Sequence, residues 1–346
     1  MSKYKLALCL IIAIAFFRPL TSKAQDIHFS QFSETPLLRN PALAGIFYGD
    51  IRVQAVFRNQ WQSVTVPFQT SSVNAEYKMP VGQADDFLTL GGALLYDKAG
   101  TVAFTSTHVL PTLNYHKSLS EERNMYLSAG FSAGIVQRKF DVSKMTTNSQ
   151  FNGLDYDPTL ATGENFQNSN TLYFDGSVGL SFNTQVGDDP DDNLYVGAAY
   201  HHFNKGAKPG FSNVPSMAVQ PKMVYSAGFK KTVNEYAYMT FYADYSTQGP
   251  YSQAIGGMLY SAKLDNLADD PRYIISGGGF VRWRDAFVPV IKLETLPMTF
   301  ALSYDVNISP LKTASQSRGG FELSISYQKF LDRDNPVRNA VRCPRF

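Results

Sequence analysis

Several polar clusters in this chain contain residue types that could do chemistry, but their spacing does not fit a catalytic site. Residues 130–134 match the G-x-S-x-G motif, with Ser132 at the position of a hydrolase nucleophile. That motif needs a sharp turn between a strand and a helix, whereas these residues lie inside an uninterrupted alternating segment. His108 and His116 would lie about 26 Å apart on one strand, too far to form one site. The sequence therefore predicts no catalytic residues and a protein that is not an enzyme.

The residue spacing does not indicate a metal site or a cofactor site either. His201 and His202 are adjacent, so on a strand they would point to opposite faces and make a poor metal pair. The acidic stretch 188–192 lacks the alternating spacing of an EF-hand loop, and the sequence shows no glycine-rich cradle for a phosphate. We expect no metal and no cofactor.

The N-terminal residues have the pattern of a secretory signal. Lys3 and Lys5 precede an apolar stretch over 6–17, which is shorter than the roughly 20 residues that a spanning helix needs. We interpret residues 1–24 as a signal peptide, with an uncleaved membrane anchor as the alternative. A lipoprotein is disfavoured because the apolar stretch continues well past Cys9, whereas lipidation requires the cysteine at the cleavage point.

Charge and cysteine content exclude two further classes of protein. Cleavage after residue 24 removes four basic residues and changes the formal charge from +2 to −2, so nucleic acid is not an expected partner. Only two cysteines occur in 346 residues, so disulfides do not hold the fold together.

The rest of the chain is a succession of segments of about ten residues that are apolar at every second position. In the first segment Ile51, Val53, Ala55 and Phe57 share one face, and Arg52, Gln54 and Arg58 share the other. Because lipid offers no partners for backbone groups, such a sheet can cross a bilayer only if it closes on itself. We predict an all-β fold: a transmembrane, antiparallel, up-and-down β-barrel of about 14 strands over residues 50–330.

A large soluble β-sandwich or propeller is the alternative fold, since its strands also alternate. Aromatic residues near the strand ends favour the membrane barrel, because they match an interfacial girdle. They include Tyr96, Tyr115, Tyr200 and Tyr245. We therefore expect the protein in the outer membrane, with lipid as its surroundings.

Connection lengths predict which end of the barrel faces outwards. The two longest connections, 139–170 and 203–221, follow the fifth and seventh strands, whereas those after even strands are short and polar, as at 82–86, 118–123 and 187–192. Bacterial barrels have short periplasmic turns and long extracellular loops. Both termini are therefore expected in the periplasm.

Prolines and charges inside the predicted strands give two further expectations. Pro111 and Pro289 each lack a ladder donor, so we expect bulges or locally broken pairing there. Charged residues on the inner face should pair inside the barrel, because an isolated buried charge is costly. These are Arg52, Arg58, Glu76, Lys78, Lys222, Lys230 and Glu322.

Motifs at the two ends of the mature chain identify a family. The sequence resembles the PorP/SprF family of outer-membrane proteins, and departs from its pattern at His28 and Leu43, where Pro and Tyr are more frequent. The motifs that carry the resemblance are Gln25-Asp26, residues 29–32 (FSQF), 36–45 (PLLRNPALAG), 58–61 (RNQW) and the terminal 343–346 (CPRF).

The resemblance implies a component of the Bacteroidota type IX secretion system. Members act with the secretion and gliding machinery, or beside a large secreted adhesin with a type B C-terminal sorting domain, which they help to export and anchor at the cell surface. Two alternatives rest on fold alone: an outer-membrane porin or hydrophobic-solute transporter, and a phospholipase-like enzyme using Ser132.

Two groups of residues are candidates for binding these partners. Aromatic residues of the long outer loops are expected to form a cup for the adhesin domain; they are Phe140, Phe151, Tyr156, Phe166, Phe203 and Phe211. The N-terminal segment 25–49 and the basic tail 331–346 are expected on the periplasmic side, with 25–49 packed across the barrel mouth. Their candidate docking residues for the secretion machinery are Phe29, Phe32, Leu37, Leu38, Cys343 and Arg345.

Overall fold

Fourteen antiparallel strands close into one barrel in the computed structural model, which describes residues 26–62, 66–82, 85–164, 168–204, 211, 219–264, 271–310 and 312–331. Each strand pairs with its sequence neighbours, and β1 also pairs with β14. The predicted fold class and strand number are confirmed. The strands are β1 Ile51–Gln60, β2 Phe68–Pro80, β3 Phe87–Ala99, β4 Phe104–Ser120, β5 Met125–Lys139, β6 Asn170–Gln185, β7 Asn193–His201, β8 Lys222–Asn234, β9 Ala237–Gln248, β10 Tyr251–Lys263, β11 Tyr273–Arg282, β12 Ala286–Thr295, β13 Met298–Asn307 and β14 Arg318–Lys329.

Short helical turns occur in the segments that are not part of the barrel strands. One-turn α-helices cover Pro36–Arg39 and Lys312–Ser315, and 3-10 turns cover Phe32–Glu34, Pro41–Leu43, Val142–Lys144 and Asn148–Gln150. Among the described residues, no helix has both the length and the apolar character needed to cross a bilayer.

The two faces of the wall follow the alternation in the sequence. Outward side chains in mid-strand are apolar and exposed, for example Leu94 (48%), Val109 (50%) and Ile135 (51%). Inward side chains are mostly small or polar and buried, as at Asn74 and Asn114 (both 0%). An apolar exterior over a polar interior is the pattern of a barrel that spans lipid.

The connections divide between two ends of the barrel. The end where β1 begins and β14 finishes, here the terminal end, carries the turns after even strands. The opposite end, here the loop end, carries the connections after odd strands, among them the longest, 140–169 and 202–221. Which end faces outwards stays a prediction.

Both strand prolines interrupt one ladder without shifting its register. Pro111 pairs with Gly92 of β3, but the β4–β5 ladder skips residues 110–111 and resumes in the same register. Pro289 likewise pairs with Gly279 of β11, while the β12–β13 ladder skips 288–289. Locally broken pairing is confirmed, whereas the bulges expected there are not found: register shifts lie elsewhere, near Ser120, Asn234 and Val306.

Residues 26–50, here the plug, run along the lumen from one end of the barrel to the other. At the loop end the Asp26 N–H donates to Oε1 of Gln248, the last residue of β9, at 2.9 Å. At the terminal end the Asp50 N–H donates to the carbonyl of Lys329, the last residue of β14, at 3.0 Å. The expectation that this segment packs across a mouth of the barrel is corrected by this path.

The apolar side chains of the plug are covered by inward-facing strand residues. Phe29 packs against Val56 and Leu95, and Phe32 lies in a cluster with Tyr242 and Phe280. A segment too rich in proline and glycine for a strand hides its apolar residues by filling the lumen, because a fourteen-strand barrel is too wide for its own side chains to fill.

Candidate partner-binding cup and lumen plug

Glu322 anchors the plug to the barrel wall. Its carboxylate on β14 accepts the backbone N–H groups of Ser30 and Gln31 at 2.6 and 2.7 Å. Arg58 of β1 lies 3.1 Å away through Nε and also bonds Asp305 at 2.9 Å. These groups are all buried, so each depends on the others for the bonds that water would otherwise supply.

Further predicted lumen charges also have partners. Arg52 and Glu76 are 2.7 Å apart, Lys78 donates to the Phe47 carbonyl at 2.6 Å, and Lys222 approaches Asp26 at 3.7 Å. The expectation that inner charges pair inside the barrel is confirmed for Arg52 with Glu76, for Lys222 with Asp26 and for Arg58 with Glu322. The bond of Lys78 goes to a backbone carbonyl instead.

Arg39 ties the middle of the plug to the opposite wall. Its guanidinium donates through two nitrogens to the carboxylate of Asp244 on β9. It also donates to the Tyr195 hydroxyl at 2.9 Å and lies over the Phe32 ring at 4.8 Å. The planar fork of arginine suits such two-point bonding to a carboxylate.

Inward glycines on three neighbouring strands make room for residues 40–42. A Cβ on Gly130 would lie 2.3 Å from the backbone carbonyl carbon of Pro41, and one on Gly179 would lie 1.9 Å from Oδ1 of Asn40. Gly197 is similarly close to the Asn40 amide, at 2.8 Å. Any side chain at Gly130 or Gly179 would push the plug away from the wall. The signal in the sequence is glycine at inward positions of consecutive strands, which sequence reasoning missed.

This packing also accounts for the apparent hydrolase motif. Gly130 faces the plug, and a Cβ on Gly134 would lie 1.8 Å from the Val109 carbonyl oxygen of β4. Ser132 sits mid-strand and donates to the Pro111 carbonyl at 3.1 Å. The motif therefore marks close backbone packing rather than a nucleophile on a strained turn.

Above the plug, at the loop end, lies a cavity of about 520 Å³, here the cup. Its volume is within the range of ligand pockets in proteins. Plug residues contribute to its floor, which contains 26–28 and 37–38, and inward strand residues form its walls, among them His108, Arg138 and Asp175. The plug therefore forms part of the surface that an occupant of the cup would meet.

His202 joins the plug to the cup wall. Its ring nitrogens lie 2.9 Å from Asp175 and 2.7 Å from Asp26. Burial by itself would lower the pKa of His202, but the charge of Asp26 and the hydrogen bonds to both carboxylates outweigh it and raise the pKa to about 9. Burial would raise the pKa of Asp26, yet His202 and Lys222 hold it well below its usual range.

The two adjacent histidines do not point to opposite faces, which corrects the sequence prediction. His201, the last residue of β7, faces inwards and lies 3.0 Å from the Arg39 carbonyl. His202 follows the strand with φ +57°, and this left-handed conformation turns its ring inwards as well. Within the described ranges, no group of three or more histidine, cysteine or acidic side chains has metal-binding geometry.

Acidic residues in two turns of the terminal end stabilise those turns. Asp192, in the acidic stretch 188–192, accepts from Lys231 and from the Thr232 N–H. Asp86 accepts from Lys117 at 2.8 Å and from the Ser118 N–H at 2.8 Å. Burial opposes ionisation of both carboxylates, but these donors lower the pKa of each.

The candidate cup aromatics fall into two groups. Phe140 and Phe211 are packed together, with ring centroids 5.1 Å apart, and Phe203 lies over Phe131 at 6.0 Å. Phe151 and Tyr156 form an isolated bridge and are 57% and 46% exposed. Of the five candidates that the structure describes, these two expose the most aromatic surface, and none of the five lines the cup.

Four of the candidate docking residues lie in the described part of the chain, and two do not. Phe29, Phe32 and Leu37 are buried in the lumen, and Leu38 packs against the same clusters. Their predicted role in docking the secretion machinery stays a prediction. The remaining candidates and the signal peptide lie outside the described residues; these are Phe166, Cys343, Arg345 and residues 1–24.

Replacing Gly130 with valine should release the plug. The new side chain would occupy the space of the Pro41 backbone, so residues 40–42 would have to leave the wall and expose Arg39. We expect trypsin to cleave after Arg39 in the Gly130→Val variant but not in the wild type, as measured by limited proteolysis and mass spectrometry. Gly277→Val is the matched control, because a Cβ there meets no atom within 4 Å. Continued protection of Arg39 in Gly130→Val would contradict the packing described.

Stability should fall as the pH rises through the pKa of His202. The folded pKa of about 9 lies above the ordinary value of 6.5, so the stabilisation is complete below pH 6.5 and is lost as pH passes 9. The full effect is about 3 kcal/mol. Denaturant unfolding in detergent micelles between pH 6.5 and 9.5 measures it. His202→Gln should flatten this dependence, and an unchanged slope in that variant would rule out the ion pairs as its source.

Comparison with known proteins agrees with the observed architecture. A Pseudomonas aeruginosa FadL homologue of known structure is similar, with 10% identity, a TM-score of 0.50, and coverage of 84% of this chain and 98% of that one. The Ralstonia pickettii toluene transporter TbuX aligns with 10% identity and a TM-score of 0.48, over 88% of this chain and 95% of that one. A search of curated proteins gave no significant match. The profile of the type IX secretion system membrane protein PorP/SprF family matches residues 21–327, and the chain belongs to that outer-membrane family.

Proposed function

We propose that this barrel is a closed outer-membrane anchor that helps to export a large secreted adhesin and holds it at the cell surface. The type IX secretion family membership supports the setting, and the plug is the observation that carries the mode of action. Buried bonds hold the plug inside the lumen at Glu322, Asp244 and Asn114. A filled lumen suits a protein that binds a partner at one end better than one that passes solutes along its axis.

The loop end is the proposed binding face for the adhesin's type B C-terminal domain. Apolar side chains stand exposed on the long loop there, with Leu154 at 88% and Phe151 at 57%. The loop is held in shape by its own bonds: Thr147 Oγ1 donates to the Thr162 carbonyl at 2.6 Å, and Gln150 donates to the Leu160 carbonyl at 3.1 Å. Aromatic and apolar anchors on a preorganised loop are what a protein interface uses.

The long loops also support an orientation for the barrel. We place the loop end outside the cell and the terminal end in the periplasm, since bacterial barrels have long outer loops and short inner turns. The secretion machinery would then meet the terminal end. Cys343 and Arg345, which lie outside the described residues, remain candidate contacts for it. An anchor in this orientation would serve surface attachment or gliding.

Removing the exposed apolar side chains of the long loop should release the adhesin. We expect the triple variant Phe151→Ser, Leu154→Ser, Tyr156→Ser to lower surface retention of the partner at least about tenfold, because central aromatic anchors contribute about 2 kcal/mol each. Quantitative immunofluorescence of intact cells, with the same adhesin measured in the medium, follows the loss.

The matched control removes apolar side chains of similar exposure at the opposite end. Val233→Ser, Leu264→Ser and Leu296→Ser combine three residues at the terminal end that are 52%, 60% and 64% exposed. The control variant should insert into the outer membrane and retain the adhesin. Equal losses in the two triple variants would show that the long loop is not the binding face.

A diffusion porin or hydrophobic-solute transporter is the competing function. The likeness to the FadL homologue bears on the fold alone, and the filled lumen favours the anchor. We expect the purified protein to give no steady current in a planar lipid bilayer, with Gly130→Val raising the conductance as the plug moves. Steady, solute-permeable conductance by the wild type would favour the transporter instead.

A further inference from the structure

Three unpartnered polar groups lie close together on the inner face of β5 and β6, next to the cup. The hydroxyls of Thr171 and Tyr173 have no hydrogen-bond partner among the described residues, although these side chains are only 8% and 9% exposed. Arg138 Nε is also buried without a partner. Buried donors without acceptors are costly, so three together indicate a place that an acceptor from outside can fill.

The strand register brings these groups together. Arg138 on β5 is directly opposite Thr171 on β6, and its guanidinium carbon lies 5.4 Å from the centre of the Tyr173 ring. Arg138 lines the cup. The guanidinium faces the cup, and the two buried hydroxyls lie behind it on the same face of the wall. Together they form a set of donors suited to an anion.

The acidic groups of the cup do not neutralise Arg138. Asp175, two residues beyond Tyr173 on the same face, is bonded by His202 at 2.9 Å, and Asp26 is bonded by the same ring at 2.7 Å. Asp97 accepts from Thr70 at 2.7 Å. Within the described part of the chain, no carboxylate oxygen lies within 4.0 Å of the Arg138 nitrogens, which leaves this guanidinium as an open charge.

We propose that Arg138, Thr171 and Tyr173 form a subsite for a carboxylate of the peptide partner, either an acidic side chain or a chain terminus. The proposal rests on the loop end being the binding face for the partner, and it names the chemistry of the partner group that enters the cup at that end. A guanidinium binds a carboxylate through two parallel bonds, and two flanking hydroxyls complete its coordination.

The surroundings favour a singly charged carboxylate on an apolar group over inorganic phosphate. Phe104 begins β4, and Phe140 directly follows β5, the strand of Arg138. Both rings pack against Phe211, with ring centroids 6.0 and 5.1 Å away. These rings can cover the apolar part of a peptide side chain. The carboxylates of Asp97 and Asp175 line the same cavity and would repel a dianion more than a monoanion.

Tryptophan fluorescence can test the subsite in the intact protein. The chain has two tryptophans; Trp61 lines the cup and Trp283 is 69% exposed. In a Trp283→Phe background, the emission of Trp61 therefore reports on the cup. The matched probes are N-acetylphenylalanine, which carries a carboxylate, and N-acetylphenylalaninamide, which does not.

We expect the acid probe to bind at least about tenfold more tightly than the amide, and Arg138→Gln to abolish that difference. Tyr173→Phe should weaken the acid alone by about three- to tenfold, since it removes one hydroxyl and keeps the ring. Lys139→Gln, which removes the same charge from the exposed neighbouring position, should bind like the wild type.

Three results would overturn the subsite. They are equal binding of acid and amide, unchanged binding by Arg138→Gln, and inorganic phosphate binding as tightly as N-acetylphenylalanine, which would show a general anion site. Heat-dependent gel mobility confirms that each variant is a folded barrel. Arg138→Lys keeps the charge but lacks the planar guanidinium, so it should bind the acid with intermediate affinity. Because the probes bind without the adhesin, failure here leaves the retention experiment on the long loop unaffected.

Discussion

The width of the fourteen-strand wall determines how the lumen is filled and which buried groups must be paired inside it. Such a wall pairs its backbone groups between neighbouring strands, as lipid requires, but it encloses more space than its inward side chains can fill. The plug fills that space with the chain's own residues. Its backbone N–H groups at Ser30 and Gln31 then need acceptors within the lumen, and Glu322 provides them at 2.6 and 2.7 Å.

Burial of that carboxylate determines its neighbours. A charge in the lumen is costly unless it is paired and bonded, and Arg58, Asp305 and Arg282 form a continuous set of ion pairs beside Glu322, at 2.9 to 3.1 Å. On the opposite wall, the buried carboxylate of Asp244 is paired with Arg39 of the plug. The plug therefore depends on these charges for acceptors, and the charges depend on the plug for donors.

The sequence predicts the wall far better than the plug. Strands such as β1 and β6 alternate strictly because one face meets lipid and the other meets polar groups, so period two alone identifies them. Residues 26–50 have no period, since a segment that fills an irregular space is shaped by its surroundings. Their location depends on glycines 130 and 179 in distant strands, and no local pattern reveals that relation. His202 was misjudged for a similar reason: its φ of +57° lies just past the strand end, where alternation no longer applies.

The floor of the cup is made partly of plug, and this joins binding to the state of the lumen. Plug residues Asp26 to His28, with Leu37 and Leu38, line the cavity together with Arg138 and Trp61 of the wall. A partner that contacts both surfaces binds only while the plug is docked. By linkage it stabilises the docked state by RT ln(1 + [L]/Kd), about 2.7 kcal/mol at one hundred times Kd. Under the proposed function, an occupied cup would keep the lumen filled, and displacement of the plug would weaken binding of the partner.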